Sequence, residues 1–207
     1  MDASDWNARY DTPELIWSGE PNQFLAPEVS DLTPGRALDL ACGEGRNSVW
    51  LATQGWTTTG VDFSDVGIAK ARALSQKHGV EAEWIVGDAT SWQPTADLFD
   101  LVAVFYLQLP ADERRASMLS AVRSLGVGGI LLVVGHDLLN LTEGYGGPKD
   151  PSVLLTAEDL LDDLTAAEVA LDRELVTEKA GRVDRVVVTD DGERTAIDTL
   201  VRVRRVA

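Results

Sequence analysis

Cysteine is almost missing from this sequence: Cys42 stands alone in 207 residues. A single thiol forms no internal disulfide and no multi-thiolate metal site, which suits a reducing compartment and makes the cytoplasm the expected location. Basic residues are also scarce, 18 Lys+Arg against 34 Asp+Glu, for a net charge of −16. Nucleic acid and anionic membranes are held by counterion release onto Lys/Arg clusters, so a field of this sign repels both. The one compact basic group, Arg202, Arg204 and Arg205, is interleaved with Val201 and Val203 and reads as the solvated face of a terminal strand. No apolar run approaches the roughly 20 residues that span a bilayer, and Asp2-Ala3-Ser4-Asp5-Trp6 offers no basic stretch ahead of an apolar one. The expected partner is a small-molecule substrate, with no nucleic acid and no membrane. Composition leaves the oligomeric state open.

What is present is enough apolar residue, 44% of the chain, for one α/β domain with a two-sided core. Residues 1–35 are a mixed lead-in, with Trp6-Asn7-Ala8-Arg9-Tyr10 and Pro21-Asn22-Gln23-Phe24-Leu25 as short helices around Gly19. From residue 36 to 207 the pattern is strand, turn, helix, repeated. Residues 36–41 enter the turn Gly43-Glu44-Gly45, followed by a helix that Gly55 stops. Residues 56–62 form the second strand, and Ser64 caps a helix running to His78. Further strands are expected at 80–86, 98–105 and 130–134, the last after a helix broken at Gly126, Gly128 and Gly129. Thr156 opens one more helix, bearing Leu160, Leu161 and Leu164. Beyond Leu171 only strand signals remain, with Asp191-Gly192 turning a hairpin. The segment 140–155, rich in Gly and Pro, is too irregular for core and reads as a lid.

The chemistry concentrates where strands end. Gly43 and Gly45 sit at the carboxyl end of the first strand, where open α/β sheets bind ligands and a backbone must turn without a Cβ. Asp62 ends the second strand 17 residues after Gly45, the spacing at which a carboxylate accepts both hydroxyls of an adenosine ribose. Asp88 ends the third strand on the same edge. A nicotinamide dinucleotide is the competing ligand. Its fingerprint wants a third small residue where this chain has Ser48, and the Tyr145/Lys149 pair that imitates a dehydrogenase is separated by Gly146-Gly147-Pro148, which no helix tolerates.

Five motifs in order, Asp39-x-x-x-Gly43-x-Gly45, Val61-Asp62-Phe63-Ser64, Gly87-Asp88-Ala89, Phe99-Asp100-Leu101-Val102 and Gly128-Gly129-Ile130-Leu131-Leu132, resemble those of class I S-adenosylmethionine-dependent methyltransferases over residues 36–135. The lead-in, with Trp6-x-x-x-Tyr10, Trp17 and Pro21-Asn22-x-Phe24-Leu25 ahead of Cys42-Gly43-x-Gly45-Arg46-Asn47, is similar to the tellurite-resistance and thiopurine S-methyltransferase branch. The resemblance implies a Rossmann-like, doubly wound, mostly parallel seven-stranded sheet ending in an antiparallel hairpin, with helices on both faces. It makes 36–207 a methyltransferase domain, 1–35 its helical cap, and S-adenosylmethionine the cofactor. Gly43 and Gly45 would then pass under the methionine part, with Asp39 near its amine. Asp62 would hold the ribose, Asp88 and Ala89 would read the adenine edge, and Phe63 would pack on its face. Phe105 and Tyr106 would line the methyl-donor pocket.

The donor's methyl is already activated, so such an enzyme mainly aligns it in line with a nucleophile and excludes water. A thiol or a chalcogen oxyanion would be a suitable acceptor, and Arg46, Arg182, Arg185 and His136 are the candidates to receive an anion. His136 follows the fifth strand and, with Tyr106, is the candidate catalytic residue. With only Asp137 and Glu143 beside His136, no metal is expected. Trp6, Tyr10 and Trp17 are expected to fold over the donor. Cys42 reads as a small loop filler and His78 as a helix-end residue. A domain that binds the cofactor as a sensor or assembly partner is the alternative, with a dehydrogenase behind it.

Overall fold

The computed structural model describes residues 2–93 and 97–207. Its strands are β1 Arg36–Leu40, β2 Thr57–Asp62, β3 Glu83–Val86, β4 Phe99–Phe105, β5 Leu125–His136, β6 Leu175–Thr189 and β7 Gly192–Arg205. They form one sheet in the order β3-β2-β1-β4-β5-β7-β6. The first five run parallel, and β7 inserts antiparallel between β5 and β6. The helices are α1 Ala3–Tyr10, α2 Leu25–Val29, α3 Arg46–Thr53, α4 Asp65–His78, α5 Ala111–Ser124, α6 Asn140–Glu143 and α7 Ala157–Leu171. This is the doubly wound, seven-stranded architecture expected.

Both faces of the sheet are covered, which is why β4 and β5 read as continuous apolar runs. Successive residues point to opposite faces. Val102, Val104, Leu131 and Val133 pack with Met118 and Val122 of α5 and Leu160 and Leu164 of α7. Leu101, Ala103, Ile130 and Leu132 pack on the other side with Leu25 and Val29 of α2 and Leu51 of α3. Ser64 caps α4 by accepting from the Gly67 N–H, and Thr156 and Asp159 close a reciprocal capping box on α7.

The structure departs from the sequence reading in four places. The second lead-in helix starts at Leu25, because the Asn22 carboxamide accepts from the Phe24 N–H and holds the preceding turn. The third strand begins only at Glu83. Gly126, Gly128 and Gly129 do not precede β5 but lie inside it, where the β4 partner jumps from Leu125 to Ile130. The terminal arginines are not a solvated face: β7 is an interior strand, so Arg202 and Arg205 are buried. Arg202 pairs with Asp31 at 2.8 Å, and Arg205 bonds Asp97 and the Leu125 carbonyl.

The segment 140–155 is also partly core. Asn140, Leu154 and Leu155 are buried, the Asn140 carboxamide accepts from the Ile197 N–H, and the Leu155 N–H donates to the His136 carbonyl. Its middle, from Thr142 to Ser152, is mostly exposed.

Between α5 and α7, Asp163 is buried and accepts from Arg114 Nε at 2.6 Å and Arg115 Nε at 3.2 Å. Asp163→Ala strands the buried Arg114 guanidinium and should cost about 3–5 kcal/mol. Arg115→Ala, on a side chain more than half exposed, should cost under about 1 kcal/mol. Urea denaturation of the two variants measures the contrast.

Candidate active site

Parallel register brings Leu40, Asp62, Phe105 and His136 to one edge of the sheet. The glycine loop leaves β1 there. Gly43 and Gly45 have φ of +54° and +78°, a conformation glycine adopts without strain. A Cβ on Gly45 would lie 2.6 Å from both Ala71 Cβ and the Trp84 ring. Its smallness therefore lets α4 and Trp84 close on the loop. A Cβ on Gly43 would lie 2.7 Å from Tyr10 Oη. The absent side chain at Gly43 thus lets Tyr10 of α1 pack directly over the loop.

Asp39 is buried beneath the start of α3 and accepts from the Ser48 N–H at 3.1 Å and the Ser48 hydroxyl at 2.7 Å. Ser48, which stands where a dinucleotide fingerprint has its third small residue, uses its hydroxyl on this carboxylate. Burial pushes the Asp39 carboxyl up to about 6, against those hydrogen bonds. Asp62 is also buried: Oδ2 accepts from the Gly43 N–H at 2.8 Å and Oδ1 from the Ser64 N–H at 2.9 Å. Burial raises its pKa and the two N–H groups oppose the rise. Each oxygen retains a lone pair for a further donor. Asp88 is exposed and closes a turn with Thr90, Ala89 is buried behind it, and Phe63 is half-buried after Asp62. A carboxylate tethered by two main-chain N–H groups, with a lone pair left on each oxygen, fits an adenosyl cofactor whose ribose supplies two donors.

Residues before β1 are tied to this loop by contacts the sequence did not reveal. Glu44, between the two glycines, is buried and accepts from the Ile16 and Trp17 N–H groups and from Lys70 Nζ at 2.9 Å. Asn47 Oδ1 accepts from the Asn22 N–H, and Asn7 bonds both Ser64 and Asp65 at the head of α4. Of the three aromatics expected over the donor, Tyr10 reaches the loop. Trp6 and Trp17 instead flank Arg9, whose guanidinium lies 5.0 and 5.4 Å from their ring centres, with Trp17 exposed.

The other half of the edge gathers around Asp198. Register pairs His136 of β5 with Asp198 of β7, and Asp198 is fully buried. Its Oδ1 lies 3.1 Å from His136 Nδ1, while Oδ2 accepts from Tyr106 Oη at 2.6 Å and Arg185 Nε at 2.7 Å. Burial would raise the Asp198 carboxyl, but the bonds from His136, Arg185 and Tyr106 outweigh it and hold the group below the usual carboxylate range. Tyr106 is displaced upward, chiefly by burial and then by Asp198, and has a φ of +55° at the end of β4. Phe105 is buried on the α2–α3 face. Next to this group, Asp137 is buried and accepts from Arg182 Nε and the Thr199 hydroxyl. Arg182 and Arg185 are therefore anchored charges.

Arg46, the first residue of α3, is half-buried between the two halves. Burial lowers its pKa, and Tyr106 and Asp39 pull it back up. The structure thus brings together Asp39, Gly43, Gly45, Asp62, Tyr10, Arg46, Tyr106 and His136. Asp198, Asp137 and Glu44 were missed. Their signals were thin: one carboxylate in the otherwise apolar run Ile197–Val201, one after the fifth strand, and one inside the glycine turn.

A family model described as a methyltransferase domain matches residues 37–129. Ribosomal RNA small subunit methyltransferase C of Alcanivorax borkumensis is 32% identical over 50% of this chain and 33% of its own length. Thiocyanate methyltransferase 1 of Arabidopsis thaliana is 30% identical over 65% of this chain and 59% of its own length. The chain thus spans a third and just under two thirds of these two relatives. Thiopurine S-methyltransferase of Azotobacter vinelandii is 28% identical over 69% and 74%. Among solved structures, one concerned with converting a disulfide bond into a thioacetal group during echinomycin biosynthesis has the same fold. Its TM-score is 0.77 at 23% identity, over 99% of this chain and 92% of that one.

Asp39 also yields a pH test. An acid whose folded pKa lies above its unfolded value of 3.8 destabilises the fold once ionised. The cost is absent below about pH 4, grows towards pH 6 and is complete above it. Asp39→Asn keeps an acceptor for Ser48 without the charge, so it should be more stable than the parent by about 1–3 kcal/mol at pH 7.5 and equal to it near pH 3.5. Melting curves at the two pH values decide.

Proposed function

We propose that this chain, which belongs to the class I S-adenosylmethionine-dependent methyltransferases, transfers the methyl group of S-adenosylmethionine to a small-molecule acceptor. The observation that carries this reading is the buried Asp62 carboxylate at the end of β2, tethered by the Gly43 and Ser64 N–H groups beside the glycine loop. When bound, S-adenosylmethionine supplies a methyl group activated on a sulfonium.

The residues then divide the work. Asp62 holds the ribose hydroxyls, Asp88 and the Ala89 main chain read the adenine edge, and Phe63 packs on its face. Gly43 and Gly45 would hold the methionine part, with Asp39 on the side of its amine. Phe105 and Tyr106 line the donor pocket, and Tyr106, His136 and Arg46 face the acceptor. Residues 1–35 are a cap on the domain 36–207, and Tyr10 shields the reacting centre from water. Alignment and water exclusion of this kind supply on the order of 7–11 kcal/mol in well-oriented systems. The exposed middle of 140–155 is the second candidate cover.

A thiol or a chalcogen oxyanion suits the acceptor site, in keeping with the sulfur acceptor named in the thiopurine relative and with the Arg46 guanidinium. A net charge of −16 argues against a nucleic-acid substrate, and the ribosomal RNA relative matches over only a third of its length. The single free thiol supports a reducing compartment such as the cytoplasm. Among the described residues no helix is long and apolar enough to cross a membrane.

Calorimetry should show binding of S-adenosylmethionine and its demethylated product, and Asp62→Ala should weaken both at least about tenfold, since each charged hydrogen bond contributes about 1.5–3 kcal/mol. Binding of NAD alone would sink the reading. Affinity without product across a panel of small thiols and oxyanions would make the chain a sensor.

The cap has its own test. A chain starting near Glu20 loses the Ile16 and Trp17 donors to Glu44 but keeps Lys70 on it. It should therefore melt at a lower temperature than the parent, keep its circular dichroism below that melt and part of its cofactor affinity, through Gly43, Gly45 and Asp62, but lose transfer. Full activity would remove the shielding role of Tyr10.

A further inference from the structure

We propose that Asp198 is a positioning residue that fixes His136 as the Nδ1–H tautomer, leaving Nε2 to take the proton from an acceptor that enters the site protonated. The inference rests on the methyltransferase reading and narrows its acceptor class: a thiol, hydroxyl or N–H compound rather than a preformed anion.

The argument is one of donors and acceptors. Asp198 is fully buried and ionised, so it can only accept. At 3.1 Å from Oδ1, His136 Nδ1 must therefore carry a proton. A neutral imidazole with Nδ1–H has an unprotonated Nε2, and no described residue bonds to that nitrogen. Free neutral imidazole prefers the opposite tautomer, so the carboxylate is what selects this one. Two further contacts fix the ring, and a third balances the carboxylate. Tyr106 packs against it with centroids 4.8 Å apart, and a Cβ on Gly147 would lie 3.2 Å from Nδ1, so main chain closes the other side. Arg185, bonded to Oδ2 and 5.5 Å from the Tyr106 ring centre, balances the carboxylate's charge. The dyad therefore orients an imidazole without adding net negative charge beside a cationic donor.

In the step this assigns, the proton of the acceptor passes to His136 Nε2 as the acceptor heteroatom bonds the methyl carbon. The carbon–sulfur bond breaks and its electron pair stays on sulfur. The imidazolium then returns the proton to water. A positioned base of this kind contributes roughly 10²–10⁴-fold to rate. An anionic acceptor would gain nothing from it.

The chain has two histidines, so ¹⁵N-histidine NMR is uncrowded, and His78→Gln assigns the pair. In mildly alkaline buffer with S-adenosylhomocysteine bound, His136 should show the Nδ1–H tautomer, and Asp198→Asn should shift it towards Nε2–H while S-adenosylhomocysteine affinity changes less than about threefold. Nε2–H in the parent protein overturns the proposal. A parent that does not bind S-adenosylhomocysteine at all instead overturns the methyltransferase reading. With 2-mercaptoethanol and iodide as acceptors at neutral pH, His136→Gln should slow transfer to the thiol at least tenfold more than transfer to iodide, and equal slowing also overturns it. The spectrum decides even for a preparation that turns over neither probe.

Discussion

A carboxylate withdrawn from water must find donors, and five of them, Asp39, Glu44, Asp62, Asp137 and Asp198, are buried along the carboxyl edge of this sheet. Leaving any one unsatisfied would cost several kcal/mol. The donors that answer them come from separate parts of the chain. Ser48 and Gly43 are local, Ile16 and Trp17 come from the lead-in, and Arg182, Arg185, Tyr106 and His136 come from the hairpin and the ends of β4 and β5. Satisfying that edge is what docks the cap and the hairpin onto the βα core.

The same constraint divides the edge in two. On the β1–β2 side Asp62 is held by main-chain N–H groups alone and Asp39 by the N–H and hydroxyl of Ser48, all neutral, so these two carboxylates keep spare lone pairs for hydroxyls and an amine. On the β5–β7 side most donors are side chains, two of them arginines, so the charges are balanced and an imidazole and a phenol are held in fixed orientation. One side is suited to holding a cationic, hydroxyl-rich cofactor and the other to handling a proton. Arg46, at the head of α3, lies between them within electrostatic reach of Asp39, Tyr106 and Arg185.

How much of this was legible follows from the range of each interaction. The glycine loop, the Ser64 and Thr156 caps and the alternation in β4 and β5 depend on neighbours a few residues away, so composition and spacing reveal them. Asp62 was legible because its position after β2 is set by a local strand-turn-helix unit. The misreading of Arg202 and Arg205 has the opposite origin: alternation alone cannot distinguish an edge strand from an interior one, and β7 lies between β5 and β6.

The sequence by itself determined the run of βα units closed by an antiparallel hairpin, the glycine turn and the carboxylate at the end of β2, since local periodicity and turn chemistry dictate them. Only the tertiary structure decided that Asp198, 62 residues from His136 and 92 from Tyr106, would be their common partner. It also decided that Glu44 would hold the lead-in and that Tyr10 alone among the aromatics would cover Gly43. Those outcomes depend on an antiparallel strand being inserted between two others and on a cap folding back, and pairings across such distances leave no period in the sequence.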